Sequence, residues 1–301
     1  MKKKYILALL LCLLPLFGIM TACDGASAPE TAASEQKLAI RLATDYRKDS
    51  IGYQQLLDFA HLLQEKSGNT MIVQLYSTGE WSTAASFLDY VKLGSLEMAC
   101  LLPETANQLQ PAYALYQQPY LFSSLQTVQD YIAGENGRKA LGLLPEEYYG
   151  IGFVPDGYLY LLDDGQPQWI SYGQLKQKGQ TKALEGVAVY DLQAVYGLQP
   201  LVTTGSWWNG LSEEQQGWLQ ESFAEALTAS FAQQEDKNPS QTLLSNGVVF
   251  EDVTAPAWNS YSAVYLNQRE AYFAAHSDSL TAYWRPVAVQ PPITGEEEPT
   301  P

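Results

Sequence analysis

The chain contains few residues that bind metals or form covalent cross-links. Its 301 residues include three cysteines and two histidines. His61 and His276 lie far apart, and because no cysteine–histidine cluster occurs we expect no metal site. Cys12 belongs to an apolar leader, and Cys100 lies in the apolar run 98–102, so we expect no internal disulfide and a core held by packing.

Positive charge and catalytic motifs are also scarce. Lys and Arg number 17 against 33 Asp and Glu, which gives a formal charge of −16. Loss of residues 1–22, which hold three lysines and no acidic residue, would change this charge to −19. A surface this acidic repels nucleic acid, so we expect no nucleic-acid partner. There is no Gly-rich phosphate loop and no Gly-x-Ser-x-Gly elbow, so we expect neither an enzyme nor a cofactor.

The N-terminus has the pattern of an export signal. Three lysines precede the apolar run 5–20, and small residues precede Cys23. This exit resembles the lipobox of bacterial lipoproteins, whose cysteine is acylated, although Met20 stands where leucine is commoner. A membrane-spanning anchor is disfavoured because the run is interrupted by Pro15 and is shorter than the roughly 20 apolar residues that a bilayer requires. We predict a signal peptide over residues 1–22 and a lipid anchor on Cys23.

The rest of the chain divides by composition. Residues 23–36 are rich in Ala, Ser, Glu and Pro and indicate a flexible tether. Residues 290–301 form an acidic, proline-rich tail. Between them we expect a first α/β lobe at 37–155 and, at 156–289, a reduced second lobe with crossing helices.

Strand and helix patterns alternate through the first of these segments. Apolar runs predict strands at 38–43, 71–76 and 98–102. Between them, helical spacing of apolar residues ends at Gly68 and again at Gly94. This order predicts a parallel sheet covered by helices, in which ligands bind beyond the carboxyl ends of the strands.

Later elements follow from the same patterns. A capping box of Ser212 and Gln215 begins a predicted helix. We predict strands at 149–153, 158–162 and 247–250, and helices at 128–132, 138–144, 212–234 and 258–275.

Seven segments, taken in order, resemble one family. They are residues 38–44, 63–69, 73–76, 91–99, the sequence Gln118-Pro119-Tyr120-Leu121-Phe122, 137–144 and 207–216. Together they resemble the DctP-like solute-binding proteins of tripartite ATP-independent periplasmic (TRAP) transporters. The resemblance implies two α/β lobes with a central cleft, a small organic ligand, and delivery of that ligand to membrane permease subunits from the outer face of the cytoplasmic membrane. The alternative is a degenerate relative that acts as a sensor or scaffold lipoprotein without transport-coupled binding.

The second lobe departs from the family. Family members carry an arginine there that pairs with the ligand's carboxylate, whereas the nearest segment here, 172–179, offers Lys176 and Lys178. No arginine occurs between Arg138 and Arg269, and the stretch up to Trp207 is short for the family. A lysine provides a point charge without bidentate geometry. Either a lysine substitutes, or the ligand is not a simple carboxylate, or binding has been lost; we expect weak binding of small dicarboxylates.

Candidate ligand-binding residues follow the predicted strand ends. After the first strand come Tyr46 and Arg47, after the second Glu80 and Trp81, and after the third Glu104. Arg47 is the best-placed cation for an anionic ligand. With Lys176 and Lys178, these five residues form the predicted binding set.

Overall fold

The computed structural model describes residues 37–77, 79–81, 83, 86–235, 239–251, 255–285 and 288. The chain divides into two units, Met1–Gln36 and Lys37–Pro301, and every described residue belongs to the second. The predictions for the signal peptide, Cys23, the tether and the acidic tail therefore fall outside the described residues.

Eight strands and eleven α-helices are assigned within these ranges. The strands are β1 Leu38–Ala43, β2 Met71–Tyr76, β3 Met98–Cys100, β4 Tyr148–Tyr158, β5 Tyr160–Asp163, β6 Gln168–Ile170, β7 Ala188–Tyr190 and β8 Tyr196–Thr204. The helices are α1 Ile51–Lys66, α2 Phe87–Lys92, α3 Pro103–Leu109, α4 Leu125–Ala133, α5 Glu135–Leu141, α6 Tyr172–Gly179, α7 Gly205–Asn209, α8 Glu213–Glu235, α9 Pro239–Ser245, α10 Ala255–Ala275 and α11 Ser279–Trp284. Short 3₁₀ helices span Pro111–Gln117 and Lys182–Leu184.

The strands form two sheets. The larger has the order β2-β1-β3-β8-β4, and the smaller has the order β6-β5-β7. β1 runs parallel to β2 and β3, as predicted, whereas β8 runs antiparallel to both β3 and β4. We call each sheet with its covering helices a lobe. The segment predicted as second lobe and crossing helices thus contributes β8 and α8 to the larger lobe.

The larger sheet is buried on both faces. Leu42 and Leu201 face one hydrophobic cluster, while their chain neighbours Ala43 and Val202 face another. Successive side chains of a strand point to opposite faces, so a doubly covered sheet requires uninterrupted apolar runs. This requirement explains why β1 and β3 lack the alternation of a half-exposed strand.

Local sequence signals define the helix that follows β1. The hydroxyl of Ser50 accepts a hydrogen bond from the N–H of Tyr53 and begins α1. Gly68 follows the helix with φ of +60°, a conformation that glycine adopts without strain. The buried face of α1, including Leu56 and Phe59, packs between β2 and α8.

The smaller lobe has a short sheet between two apolar layers. Its strands are three to four residues long. On one face Leu162 packs with Leu175 of α6 and Leu243 of α9; on the other, Leu161 packs with Tyr265 of α10. Phe273 at the other end of α10 joins the core of the larger lobe, so this helix connects both lobes.

Most of the predicted elements are confirmed, but the strand at 247–250 is wrong. Residues 248–250 are not in a strand, although Glu251 N donates to the carbonyl of Val189 in β7. Gly247 has φ of +84°, and this left-handed conformation breaks an extended run at its first residue. The capping box of Ser212 and Gln215 is confirmed.

Candidate functional site

A cavity of about 370 Å³ lies where the two lobes meet. The larger lobe lines it with α3, the first 3₁₀ helix and β8, while Trp169 of β6 and Gln268 of α10 close it from the other side. Glu104 and Asn107 reach it from α3, which begins directly after the carboxyl end of β3. The cavity therefore occupies the edge of the sheet at which parallel α/β folds bind ligands.

Tyrosine rings form a fixed wall of this cavity. The hydroxyl of Tyr113 donates to the carbonyl of Ala140 at 2.8 Å, and the hydroxyls of Tyr116 and Tyr131 lie 2.8 Å apart. Burial raises the pKa of Tyr113 and Tyr116 well above the ordinary value. Since their hydroxyls bond within the protein and stay neutral, these side chains bring no charge to the cavity. Trp169 is held by Tyr265, with ring centroids 5.1 Å apart.

Two residues with amide side chains, Asn107 and Gln118, also line this cavity. Gln118 is 8% exposed, and its Nε2 donates to the carbonyl of Ala114 at 3.2 Å, which orients the amide. Its Oε1 and the Oδ1 of Asn107 are buried and accept no hydrogen bond within the described part of the chain. A buried acceptor without a donor costs roughly 1–3 kcal/mol, so a ligand that donates to these oxygens gains affinity.

The charge of the cavity is negative. Among the described residues that line the cavity, Glu104 is the one whose side chain is charged at neutral pH. Asp45, which follows β1, has its pKa raised by burial and, secondarily, by the negative charge of Glu104. Asp45 and Glu104 therefore interact electrostatically at the ends of β1 and β3.

Arg47 and Lys176 meet outside this cavity, through Asp49. Arg47 Nε lies 3.2 Å from Asp49 Oδ1, and Lys176 Nζ lies 3.4 Å from Asp49 Oδ2. The guanidinium also donates to Gln177 Oε1 at 3.2 Å. Lys178 is two residues beyond Lys176 on α6, which turns it about 200° around the helix, away from this contact.

Two other predicted residues pack against the protein. Tyr46 is 4% exposed, packs over Gly52, and donates from its hydroxyl to the carbonyl of Val154 at 3.0 Å. Trp81 lies between Tyr76 and Tyr90, with ring centroids 4.8 and 6.2 Å away.

Glu80 is engaged in a local network after β2. Its Oε1 accepts from Lys48 Nζ at 2.5 Å, and its Oε2 accepts from both the backbone N–H and the hydroxyl of Ser77 at 2.8 Å. These donors, Lys48 first, lower the pKa of Glu80 from 4.5 to about 2. Of the seven predicted residues, Glu104 is the one that lines the cavity.

Sequence reasoning missed several lining residues. Gln118 lies inside one of the segments that carry the family resemblance, but its position before Pro119 gave no sign of a role. Trp169 and Gln268 come from β6 and α10, which are far from the first three strands in sequence. The chain contains 20 Tyr, 9 Phe and 7 Trp, but this composition alone does not identify which of them line a cavity.

The architecture is that of a two-lobed binding protein of the periplasmic type. A TRAP periplasmic solute-binding protein from Desulfovibrio desulfuricans, solved with bound sn-glycerol-3-phosphate, matches with a TM-score of 0.70 at 14% identity, over 82% of this chain and 98% of that chain. One from Ochrobactrum anthropi matches with a TM-score of 0.68 at 15% identity, over 84% and 95%. One from Pseudomonas putida F1, with bound D-glucuronate, gives 0.65 at 14% identity, over 86% and 100%.

A family model matches part of the sequence as well. Residues 42–161 match the model of the bacterial extracellular solute-binding proteins, family 7. The predicted resemblance is thereby confirmed: residues 42–161 match family 7, and the described body has the fold of the TRAP solute-binding proteins. Within the described ranges, every helix is too short or too polar to cross a membrane.

Proposed function

We propose that this protein is an exported lipoprotein that captures a small organic solute between its lobes and delivers it to TRAP-type permease subunits. The observation that carries the proposal is the cavity at the carboxyl end of β3, to which both lobes contribute. A solute held there contacts Trp169 and Glu104 together only when the lobes are close. Binding energy is thereby available to drive hinge closure, and the closed surface is what a permease would recognise.

The contacts at Asp49 support a hinge that opens and closes. Arg47, Asp49 and Lys176 are all partly exposed, and exposed ion pairs contribute little free energy. Such contacts hold the lobes together weakly. Opening then costs little in the absence of ligand, and the ligand supplies the difference in free energy between the two states.

The lipid anchor and the tether belong to the same proposal. Acylation of Cys23 would place the protein on the outer face of the cytoplasmic membrane, and residues 24–36 would let the body reach a permease beside it. The protein itself performs no covalent chemistry in this scheme. Energy coupling resides in the membrane subunits.

A degenerate sensor or scaffold lipoprotein is the second candidate. The observations in its favour are the sequence interval without arginine between Arg138 and Arg269 and the short strands of the smaller sheet. If the protein no longer binds a ligand, substitution of Trp169 should change its stability and no other measured property. The two candidates therefore differ in what a substitution at Trp169 does.

A thermal-shift screen of the exported chain tests the proposal. We expect at least one compound among organic acids, sugars, amino acids and amines to raise Tm by about 5–10 °C at a hundredfold excess over Kd. Trp169→Ala should abolish this shift. Trp218→Ala is the matched control and should retain the shift in Tm. Trp218 is a partly buried residue of α8 that packs against the cluster containing Leu42 and Leu201. No stabilisation by any class, or an equal shift in Trp169→Ala, would favour the degenerate candidate.

A further inference from the structure

The inter-lobe cavity carries a chemical pattern that restricts its ligand, if the proposed solute-binding function holds. Its formal charge comes from Glu104, and Asp45 lies close enough to be affected by that charge. Nearby cations are committed elsewhere: Arg47 and Lys176 contact Asp49, and Arg269 donates to the carbonyl of Tyr120. Among the described residues that line the cavity there is no arginine or lysine, so an anionic ligand would meet a negative site there.

The hydrogen-bonding groups agree with this charge. Oδ1 of Asn107 and Oε1 of Gln118 are buried acceptors without donors among the described residues, and Gln118 is more than nine-tenths buried. Glu104 and Asn107 are three residues apart on α3 and so share one face of that helix. Three residues with acceptor groups therefore line a single cavity of about 370 Å³, and the oxygens of the two amides are buried against the protein. A ligand that donates several hydrogen bonds would satisfy them.

The aromatic wall favours the same kind of ligand. Tyr113 and Tyr116, both largely buried, also line the cavity, and their hydroxyls bond within the protein. Trp169 adds a third ring from the smaller lobe. The face of an aromatic ring carries negative electrostatic potential, which attracts cations and packs against apolar groups.

We propose that the cavity binds an organic cation: a protonated primary amine on an aromatic or apolar body. The ammonium group donates to Glu104 and, once their amides turn towards it, to Asn107 and Gln118, while the body packs among Tyr113, Tyr116 and Trp169. The overall charge of −16 raises the local concentration of such a ligand and its association rate. The ligand class thus differs from the acids bound in the solved structures of sn-glycerol-3-phosphate and D-glucuronate complexes.

A matched series of probes tests this proposal by calorimetry on the exported chain. The probes are 2-phenylethylamine, 2-phenylethanol and 3-phenylpropanoate, which share a ring and differ in the charge of the end group. We expect the amine to bind at least tenfold more tightly than the alcohol, and the carboxylate to bind most weakly. Glu104→Gln should weaken the amine by about ten- to hundredfold and change the alcohol less than about twofold.

Two further variants separate local from general effects. Glu65→Gln makes the same charge change at the last turn of α1, outside the cavity lining, and should leave amine affinity unchanged. Asn107→Leu removes one acceptor and should weaken the amine several-fold while sparing 3-phenylpropanoate. Equal losses in Glu65→Gln and Glu104→Gln would mean that only the overall charge acts, which would overturn the proposed site.

The remaining outcomes distinguish this inference from the proposed function. Tighter binding of 3-phenylpropanoate or D-glucuronate than of the amine, lost in Trp169→Ala, would overturn the amine assignment and leave solute binding intact. If none of these probes binds but a neutral sugar does, the amine assignment is likewise overturned and solute binding is left intact. If no compound binds in either experiment, both the inference and the proposed function are wrong.

Discussion

Lys176 Nζ lies 3.4 Å from Asp49 Oδ2 and thereby links α6 of the smaller lobe to the loop that follows β1 in the larger lobe. Arg47 contacts the same carboxylate and also Gln177, so two positive groups and one negative group meet where the lobes approach. These are two of the three cations, with Lys178 the third, that sequence reasoning assigned to the ligand. In the structure they bind a protein carboxylate and leave the inter-lobe cavity with a negative charge.

The first prediction concerns the strength of this contact. In a double-mutant cycle of Asp49→Asn and Lys176→Gln, we expect a coupling free energy of about 0.2–1 kcal/mol, because both side chains are partly exposed. Urea unfolding of the four proteins measures it, and salt should reduce it. Lys178→Gln is the control and should show no coupling to Asp49→Asn. A coupling above about 2 kcal/mol would indicate a fixed bridge instead of a reversible contact.

The first three strands could be predicted because a sheet buried on both faces imposes continuous apolar runs on each of them. β8 could not, although it is an interior strand of the larger sheet. It contains Pro200, and proline lacks the N–H that a central strand requires. The structure accommodates Pro200 because its carbonyl still accepts from Leu101 N. Recognising this arrangement requires knowledge of a pairing between residues a hundred positions apart.

The site was predicted in part for a related reason. Glu104 could be predicted because ligands bind beyond the carboxyl ends of parallel strands. Whether a residue directly follows a strand can be read from the local sequence. Tyr46 also follows β1, but its ring packs over Gly52, where a side chain would not fit, and this contact is invisible in the sequence. Trp169 and Gln268 reach the cavity only after the smaller lobe folds against the larger one.

The second prediction concerns the anchor. Cys23→Ala should release the protein from the membrane fraction, because acyl chains, and not a spanning helix, are predicted to hold it. Fractionation followed by immunoblotting measures this, with globomycin-treated cells as a chemical comparison. Cys100→Ala is the matched control, since Cys100 is buried in β3 and should not affect localisation. Retention of the Cys23→Ala variant in membranes would contradict the lipoprotein assignment.

The third prediction uses two glycines with opposite surroundings. A Cβ at Gly152 in β4 would collide with the ring of Phe223, which itself packs on Phe59, so Gly152→Ala should destabilise the protein by about 1–3 kcal/mol. Gly217 lies within α8 with nothing within 4 Å of such a Cβ. Gly217→Ala should therefore stabilise by up to about 1 kcal/mol. Chemical denaturation measures both; similar effects of the two substitutions would contradict the packing described here.

The fourth prediction concerns Glu80 and pH. Its pKa is lowered to about 2, so its contribution to stability is complete above the ordinary value of 4.5 and is lost as the pH falls from 4.5 towards 2. Lys48→Met removes the largest cause and should raise the pKa of Glu80, while the two bonds from Ser77 keep it below 4.5.

NMR titration of the Glu80 side-chain carboxyl carbon measures this shift. Lys139→Met is the matched control: it should raise the pKa of Glu135, which Lys139 lowers, and leave Glu80 unchanged. An unchanged Glu80 midpoint in Lys48→Met would assign its low pKa to Ser77 alone.

The fifth prediction concerns Arg269, which is 1% exposed and donates to the carbonyl of Tyr120 at 2.8 Å. Tyr120 has φ of +56°, a strained conformation for a bulky residue, and its N–H donates to Ala194. Arg269→Met removes the donor at this carbonyl and should destabilise the protein by about 1–3 kcal/mol.

Chemical denaturation of this variant beside Arg138→Met separates a buried from an exposed arginine. Arg138 also donates to a backbone carbonyl, that of Ala133, but this bond is exposed, and its loss should cost less than about 0.5 kcal/mol. The opposite result for Arg269→Met, greater stability, would mean that burying the guanidinium costs more than its hydrogen bonds return. In that case Arg269 would be retained for a reason other than stability, and its position beside Gln268 of the cavity would direct the next measurement to ligand affinity.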